Sequence, residues 1–311
     1  MLSENKMTLS YPVIQSKVTT GLDAISPGKR EPNYIAITIA YNEEKYIRDT
    51  IESVLNQSIK PRLYIVVDDG STDRTPFIVS EYPVYYMRVD EPKFYLGSMN
   101  MHRALVRGIQ QATDLVPDWD FMLKVDADSM IPGNYVETLH GKMMDNPELG
   151  ICSGLMKGGN VWKGRASDGA KLYRRECWDM IGGLDRTIHW DTHAIVKAYW
   201  KGWVVRTFRN VPYDERRTSE RENLYEWYIT GITRYYLGFP LIHTIGAAAL
   251  YCKKKPFIIG SLTMVLTQFL FTLSRAKKPF NSSYYDFAKI FVKNETRMHL
   301  SYKIKNVFKR V

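Results

Sequence analysis

Two aspartates set two residues apart, Asp126 and Asp128, follow the apolar run Phe121-Met122-Leu123. A second acidic pair, Asp68-Asp69, lies upstream in the run Val67-Asp68-Asp69-Gly70-Ser71-Thr72-Asp73. Carboxylates at i and i+2 at the end of a strand point the same way along the pleat. Where the strand breaks into a loop, such a pair can grip a hard divalent cation and the diphosphate oxygens it carries. Asp-x-Asp alone is common by chance, so its weight here comes from the second acidic cluster. His189, Asp191 and His193 form a His-x-Asp-x-His pattern that invites a metal reading. The helix there begins only near Asp191, so the two histidines do not share a helical face, and the pattern is set aside.

The surrounding elements explain how distant acids meet. Tyr34–Ala40 reads as a strand, with Asn42 as the N-cap of the next helix and Glu43 and Glu44 in its first turn. Ile47, Ile51, Val54 and Leu55 recur at helical spacing. Leu63–Val67 is a second strand, followed by the Asp68–Asp73 turn and a short helix with Pro76 in its first turn. Val84–Val89 reads as a strand, Ser98–Ala112 as a helix and Asp120–Val125 as a strand. After Pro132 come another helix, the strand-like Leu149–Gly154 and a Gly-rich loop over Lys157–Gly169. Beyond these lie Lys171–Ile181, the Gly182-Gly183 turn, a helix from His193 to Trp200 and a strand over Val204–Phe208. Strands alternating with helices predict an α/β fold with a mainly parallel sheet. Ligands of such sheets bind outside the carboxyl ends of the strands, where Ala40-Tyr41, Asp68-Asp69 and Asp126–Asp128 all fall.

Charge and hydropathy divide the chain. The net charge is +10, but from Lys201 onward 20 Lys and Arg face 7 Asp and Glu, which leaves the first 200 residues at −3. Residues 1–33 form a polar extension without a signal-peptide core, 34–215 the α/β domain and 216–311 a basic helical tail. Within the tail, Leu237–Cys252 and Pro256–Leu273 are apolar stretches of 16 and 18 residues, bracketed by Lys253-Lys254-Lys255 and by Arg275, Lys277 and Lys278. Each is shorter than the roughly 20 residues of a full membrane span. Two crossings would also put the basic clusters on opposite sides, against the positive-inside bias. A shallow hairpin, or helices lying in the interface, at an anionic membrane surface keeps both on one face; the alternative is two buried helices packed on the core domain. The apolar content between the clusters argues for lipid and against nucleic acid as the partner. Cys152, Cys177 and Cys252 share no metal-ligand spacing and cannot all pair, which fits the reducing, cytoplasmic side of the membrane.

Ala40-Tyr41-Asn42-Glu43-Glu44, the Asp68-Asp69-Gly70-Ser71 run and Asp126-Ala127-Asp128-Ser129 together resemble the family 2 glycosyltransferases, over about residues 34–210. The resemblance implies the GT-A fold, Rossmann-like with a mainly parallel sheet flanked by helices, and a nucleotide-sugar donor carrying UDP or GDP. It implies that Ala40 and Tyr41 pack on the nucleotide, that Glu43 reaches its ribose or base and that Asp69 accepts a hydrogen bond from the base, with Asp68 supporting the turn. It places Asp126 at the ribose and the metal, and Asp128 on Mn²⁺ or Mg²⁺. It also implies an Asp that opens a helix after a Gly-Gly turn as the base for the acceptor hydroxyl, and Asp191 fits. Trp190 stands where many relatives carry Glu. Arg103 and Arg107 are both candidates for the diphosphate. Trp162, Trp178 and Trp190 could stack on sugars or fill the core. The Gln-x-x-Arg-Trp motif of processive synthases is missing, with Arg216-Arg217-Thr218-Ser219-Glu220 in its neighbourhood, so a single addition is expected. The tail resembles that of membrane-associated members, which implies a lipid-linked or surface-glycan acceptor. A nucleotidyltransferase would need a basic, Gly-rich triphosphate loop after its first strand, and this chain has the acidic Ala40–Glu44 there.

Overall fold

The structure, a computed structural model, describes residues 32–91, 97–159, 164–216, 223–252 and 254–307. Its strands are β1 (Tyr34–Ala40), β2 (Leu63–Asp68), β3 (Tyr85–Arg88), β4 (Phe121–Asp126), β5 (Ser129–Met130), β6 (Leu149–Met156), β7 (Ala170–Arg174) and β8 (Val204–Glu215). The helices are α1 (Ile47–Leu55), α2 (Thr75–Val79), α3 (Gly97–Leu115), α4 (Tyr135–Met144), α5 (Arg175–Ile181) and α6 (Trp190–Trp200). Among the described residues the helices continue with α7 (Leu224–Tyr236), α8 (Leu241–Tyr251), α9 (Phe257–Leu273) and α10 (Ser282–Val307).

The strands form one sheet in the order β3-β2-β1-β4-β7-β6-β8-β5. β1 to β4 are mutually parallel, and β7 runs antiparallel to both β4 and β6. Chain order runs outward from β1 through β2 to β3 and then returns to place β4 on β1's other side. The reversal makes a switch point between the carboxyl ends of β1 and β4. Both faces of the sheet are covered, so its central strands are apolar at nearly every position. Ile35, Ile37, Ile65, Val67 and Met122 face α3 and α6, while Ala36, Val66, Leu123 and Val125 face α1 and α4.

Four local readings need correction. Asn42 is not a helix cap: its φ is +55° and α1 starts only at Ile47, so Glu43 and Glu44 lie in the turn before the helix. The Asn42 side chain instead accepts a hydrogen bond from the Thr72 N–H (2.8 Å), a local polar contact suited to left-handed backbone. The helix bearing Asp191 starts at Trp190, three residues before His193, with His189 preceding it at φ +55°. The last strand runs past Phe208 to Glu215, with a register shift that realigns Pro212 and Tyr213 against β6. The segment Lys171–Ile181 divides into the end of β7 and the helix α5.

Candidate active site

The parallel register sets the acids level with one another. Ala40 pairs with Asp68, and Ile39 pairs with Asp126, so the ends of β1, β2 and β4 lie side by side. Asp68 is fully buried and belongs to the turn: it accepts from the Ser71 N–H (2.8 Å), the Tyr86 hydroxyl (2.7 Å) and Arg88 (2.8 Å). Asp69 follows with its N–H on the Ala40 carbonyl (2.8 Å) and its carboxylate toward Arg103 (3.4 Å). Of the two candidate arginines, Arg103 is the one at this rim, nearly buried between Asp69 and Glu91. Arg107 is more than half exposed and pairs with Glu91 at 2.9 Å.

The loop after β1 is stitched to the loop after β2. The Asn42 N–H donates to Ser71 Oγ (2.9 Å), the Glu43 N–H to Thr75 Oγ1 (2.8 Å) and the Glu44 N–H to Asp73 (3.1 Å). Each bond satisfies a backbone donor that the late start of α1 leaves outside the helix. Tyr41 stands half exposed at the front of this double loop.

Sequence reasoning missed the core of the arrangement. Lys124 and Lys171 lie directly opposite each other on β4 and β7, both almost fully buried and on the side of the sheet that α6 covers. Like charges facing across two strands destabilise a sheet unless anions surround them. Here the anions are the acids of the site. The Lys124 ammonium bonds the Asp126 carboxylate and the Asp168 carbonyl (2.9 Å). The Lys171 ammonium bonds the Asp168 carboxylate and lies 3.9 Å from Asp191. The i, i+2 spacing of Lys124 and Asp126 puts them on one face, and α6 brings Asp191 to it in its first turn. Asp126 is also fixed through its N–H, which donates to the Gly169 carbonyl (2.8 Å).

These contacts divide the carboxyl groups. The charges of Lys171 and Lys124 drive Asp168 well below the usual carboxylate range. Asp191 is raised, first by burial and then by the neighbouring Asp168, with Lys171 opposing. Burial also raises Asp126, against the pull of Lys124. Burial opposes the Lys171 charge too, yet Asp168 and Asp191 outweigh it and hold that ammonium above its usual range. A further acid arrives unannounced: Glu215, at the end of β8, pairs in register with Ser129 beside Asp128. It is raised by burial and by the charges of Asp128 and Asp126.

Asp126, Asp128 and Glu215 are hard oxygen donors that feel one another's charge, the chemistry that suits Mg²⁺ or Mn²⁺. Among the described residues no group of three or more His, Cys, Asp or Glu forms a ready metal cage. Asp126 and Asp128 are carboxylate oxygen donors of the kind that hold such a cation singly or in pairs. His193 has another use, since its Nδ1 contacts the Tyr284 hydroxyl inside the core. Trp190 is buried edge-on to His102 and fills the core, while Trp178 is partly buried and packs edge-on to Tyr173 at the core's margin; Trp162 lies outside the described residues.

The family model described as Glycosyl transferase family 2 matches residues 35–203, more than half of the chain. The chain belongs to that family. It is similar to the glycosyltransferase GlyA of Streptococcus pneumoniae, 24% identical over 197 residues that cover 59% of this chain and 26% of that protein. It is also similar to a poly-beta-1,6-N-acetyl-D-glucosamine synthase of Staphylococcus epidermidis, 27% identical over 150 residues, covering 47% and 34%. The chain thus matches well under half the length of these relatives. In fold it is similar to the mannosyltransferase PcManGT from Pyrobaculum calidifontis, with a TM-score of 0.50 at 17% identity, covering 88% of this chain and 81% of that one. The sheet and its flanking helices are the GT-A architecture that the resemblance implies.

Proposed function

We propose that this protein moves a sugar from a UDP- or GDP-sugar to an acceptor hydroxyl or phosphate, with inversion and one addition per encounter. The acceptor we propose is a lipid-linked or cell-surface glycan. The observation that carries this reading is the convergence of Ala40, Asp69, Asp126, Asp128 and Asp191 on one rim, at the switch point of the sheet. The stitched loop from Ala40 to Glu43 and the Asp69 carboxylate form the side where a nucleotide base and ribose would rest. Arg103, behind Asp69, would orient that carboxylate toward the base. Asp126 and Asp128, with Glu215 beside them, would hold Mn²⁺ or Mg²⁺. When bound, that ion supplies Lewis-acid neutralisation of the charge gathering on the departing diphosphate. PcManGT, of the same fold, is known in complex with GDP-Man and Mn²⁺, which supports both the donor class and the ion.

Asp191 takes the acceptor proton. As the acceptor oxygen bonds to the anomeric carbon, the proton passes to the Asp191 carboxylate, and the bond from that carbon to the diphosphate oxygen breaks. The nucleoside diphosphate leaves from the opposite side, so the configuration inverts. A carboxyl raised toward the working pH accepts a proton more readily than an ordinary one, and burial and Asp168 raise Asp191 in that direction. Lys171 keeps Asp168 charged beside it and fixes both acids.

The test is release of nucleoside diphosphate by the purified protein with Mn²⁺ across a panel of UDP- and GDP-sugars. Chelation should abolish it. Asp191→Asn should lower turnover about 10²–10⁴-fold while donor affinity stays near the parent's. Turnover at the parent rate in the Asp191→Asn variant removes Asp191 as the base.

A further inference from the structure

The two helices α8 and α9 are built inside out. The residues α9 buries are Gly260, Ser261, Met264, Thr267 and Gln268, mostly small or polar. Ile258, Leu262, Leu266, Phe269 and Leu273 form an outward stripe at helical spacing, each between 45% and 70% exposed. α8 repeats the pattern, with Thr244 its one buried residue and Ile242, Ile245 and Leu250 facing out. A helix on the surface of a water-soluble protein carries the opposite arrangement, apolar stripe inward and polar face outward.

The inversion is fixed by specific contacts. Thr244 Oγ1 accepts from Arg234 Nε (2.7 Å) on α7 and donates to Gln268 Oε1, whose amide nitrogen donates to the Phe239 carbonyl (2.6 Å). Gly231 of α7 and Gly260 of α9 allow close approach: a Cβ on Gly231 would lie 2.6 Å from the Met264 carbonyl oxygen, and one on Gly260 2.5 Å from Trp227 Nε1. Small residues and side-chain hydrogen bonds at the seam, with aliphatic residues outside, are how helices pack where the surroundings are as apolar as their own side chains.

We propose that the outward face of α8 and α9 is a membrane-docking surface that sinks into one leaflet of an anionic bilayer without crossing it. No helix among the described residues is long and apolar enough to cross a membrane. α9, at 17 residues, extends only about 25 Å. Exposed cations stand at both its ends, Lys254 and Lys255 before it and Arg275 and Lys277 after it. A helix lying flat puts both sets among lipid headgroups at one depth, where anionic phosphates match them. A second copy of the chain seated on this face would instead bring the same cations toward each other.

The proposal does not rest on the transferase reading, because vesicle binding is measured without activity. Full-length protein is floated with phosphatidylcholine vesicles, with and without about one third phosphatidylglycerol. It is expected to float with the anionic vesicles, less so in high salt. Leu262→Asp combined with Leu266→Asp should weaken flotation by at least about tenfold, with no change in far-ultraviolet circular dichroism because both sites are exposed. Phe269→Trp should be quenched most strongly by bromines placed near the headgroup end of the acyl chains. No flotation, flotation unaffected by the aspartates, or quenching strongest at the bilayer centre overturns the proposal. So does a dimer in sedimentation that the aspartate pair dissociates, in a protein that ignores vesicles.

Discussion

Lys171 holds Asp168 and lies beside Asp191, and sequence reading passed over it. Its ammonium is almost fully enclosed, bonds Asp168 and lies 3.9 Å from Asp191. Lys171→Met should cost about 2–3 kcal/mol in urea denaturation, less than for a fully enclosed pair because the Asp168 carboxylate is exposed. Adding Asp168→Asn should recover part of that loss, since the carboxylate left behind is then neutral. Equal stability of the single and double variants would show that the ammonium and the carboxylate do not interact. At the other end of the rim, Asp128→Asn should weaken Mn²⁺-dependent donor binding in calorimetry and leave the melting temperature nearly unchanged. Asp126 and Asp128 are legible as candidates because they belong to a short motif at a recognisable strand end, and Asp191 enters as a candidate through the family resemblance. Lys124, Lys171, Asp168 and Glu215 are not, because a buried lysine has no local signature: its meaning comes from which strand lies opposite.

Secondary structure was legible where one rule governed it. β1, β2 and β4 are apolar along their length because both sheet faces are covered, and their ends fall where the acidic motifs start. The end of β8 was hidden by Pro212, which lacks a ladder donor and sits beside the register shift after Gly154. That shift depends on close approach, since a Cβ on Gly154 would collide with the Val211 carbonyl oxygen and press on the Tyr135 ring. Gly154→Ala should therefore destabilise the protein by about 2 kcal/mol or more and disturb Glu215 through the strand that carries it. The checks are a denaturation midpoint and Mn²⁺ affinity; an unchanged midpoint would mean the strands separate freely. Asn42 misled for a different reason. Asn suits both helix caps and left-handed turns, and only the loop across from it decides between them.

On the scale of the molecule, α10 decides how the parts cohere. Tyr284, Phe287 and Phe291 join the same apolar cluster as the α3 side of the sheet, and the Tyr284 hydroxyl contacts His193 on α6. Burial pushes the His193 imidazole down to about 3 from its ordinary 6.5, so it is neutral in the folded protein. The unfolded chain binds this proton more readily. The contribution is whole above pH 6.5 and is lost as pH falls toward 3, about 2 kcal/mol by about pH 5. His193→Phe should flatten the stability profile over that interval, and an unaltered slope would assign the acid sensitivity to other groups. Phe291→Ala should cost about 3–4 kcal/mol in the same measurement. Nothing in the apolar pattern of α10 announces its destination, because its partners lie far back in the chain. Tyr284 is separated from His193 by 91 positions. During synthesis, then, every acid and lysine of the rim leaves the ribosome before the helix that clads α6 exists. A nascent chain halted ahead of residue 282 would carry Asp191 on a helix with one side bare, a form that chaperones should retain until the remainder emerges.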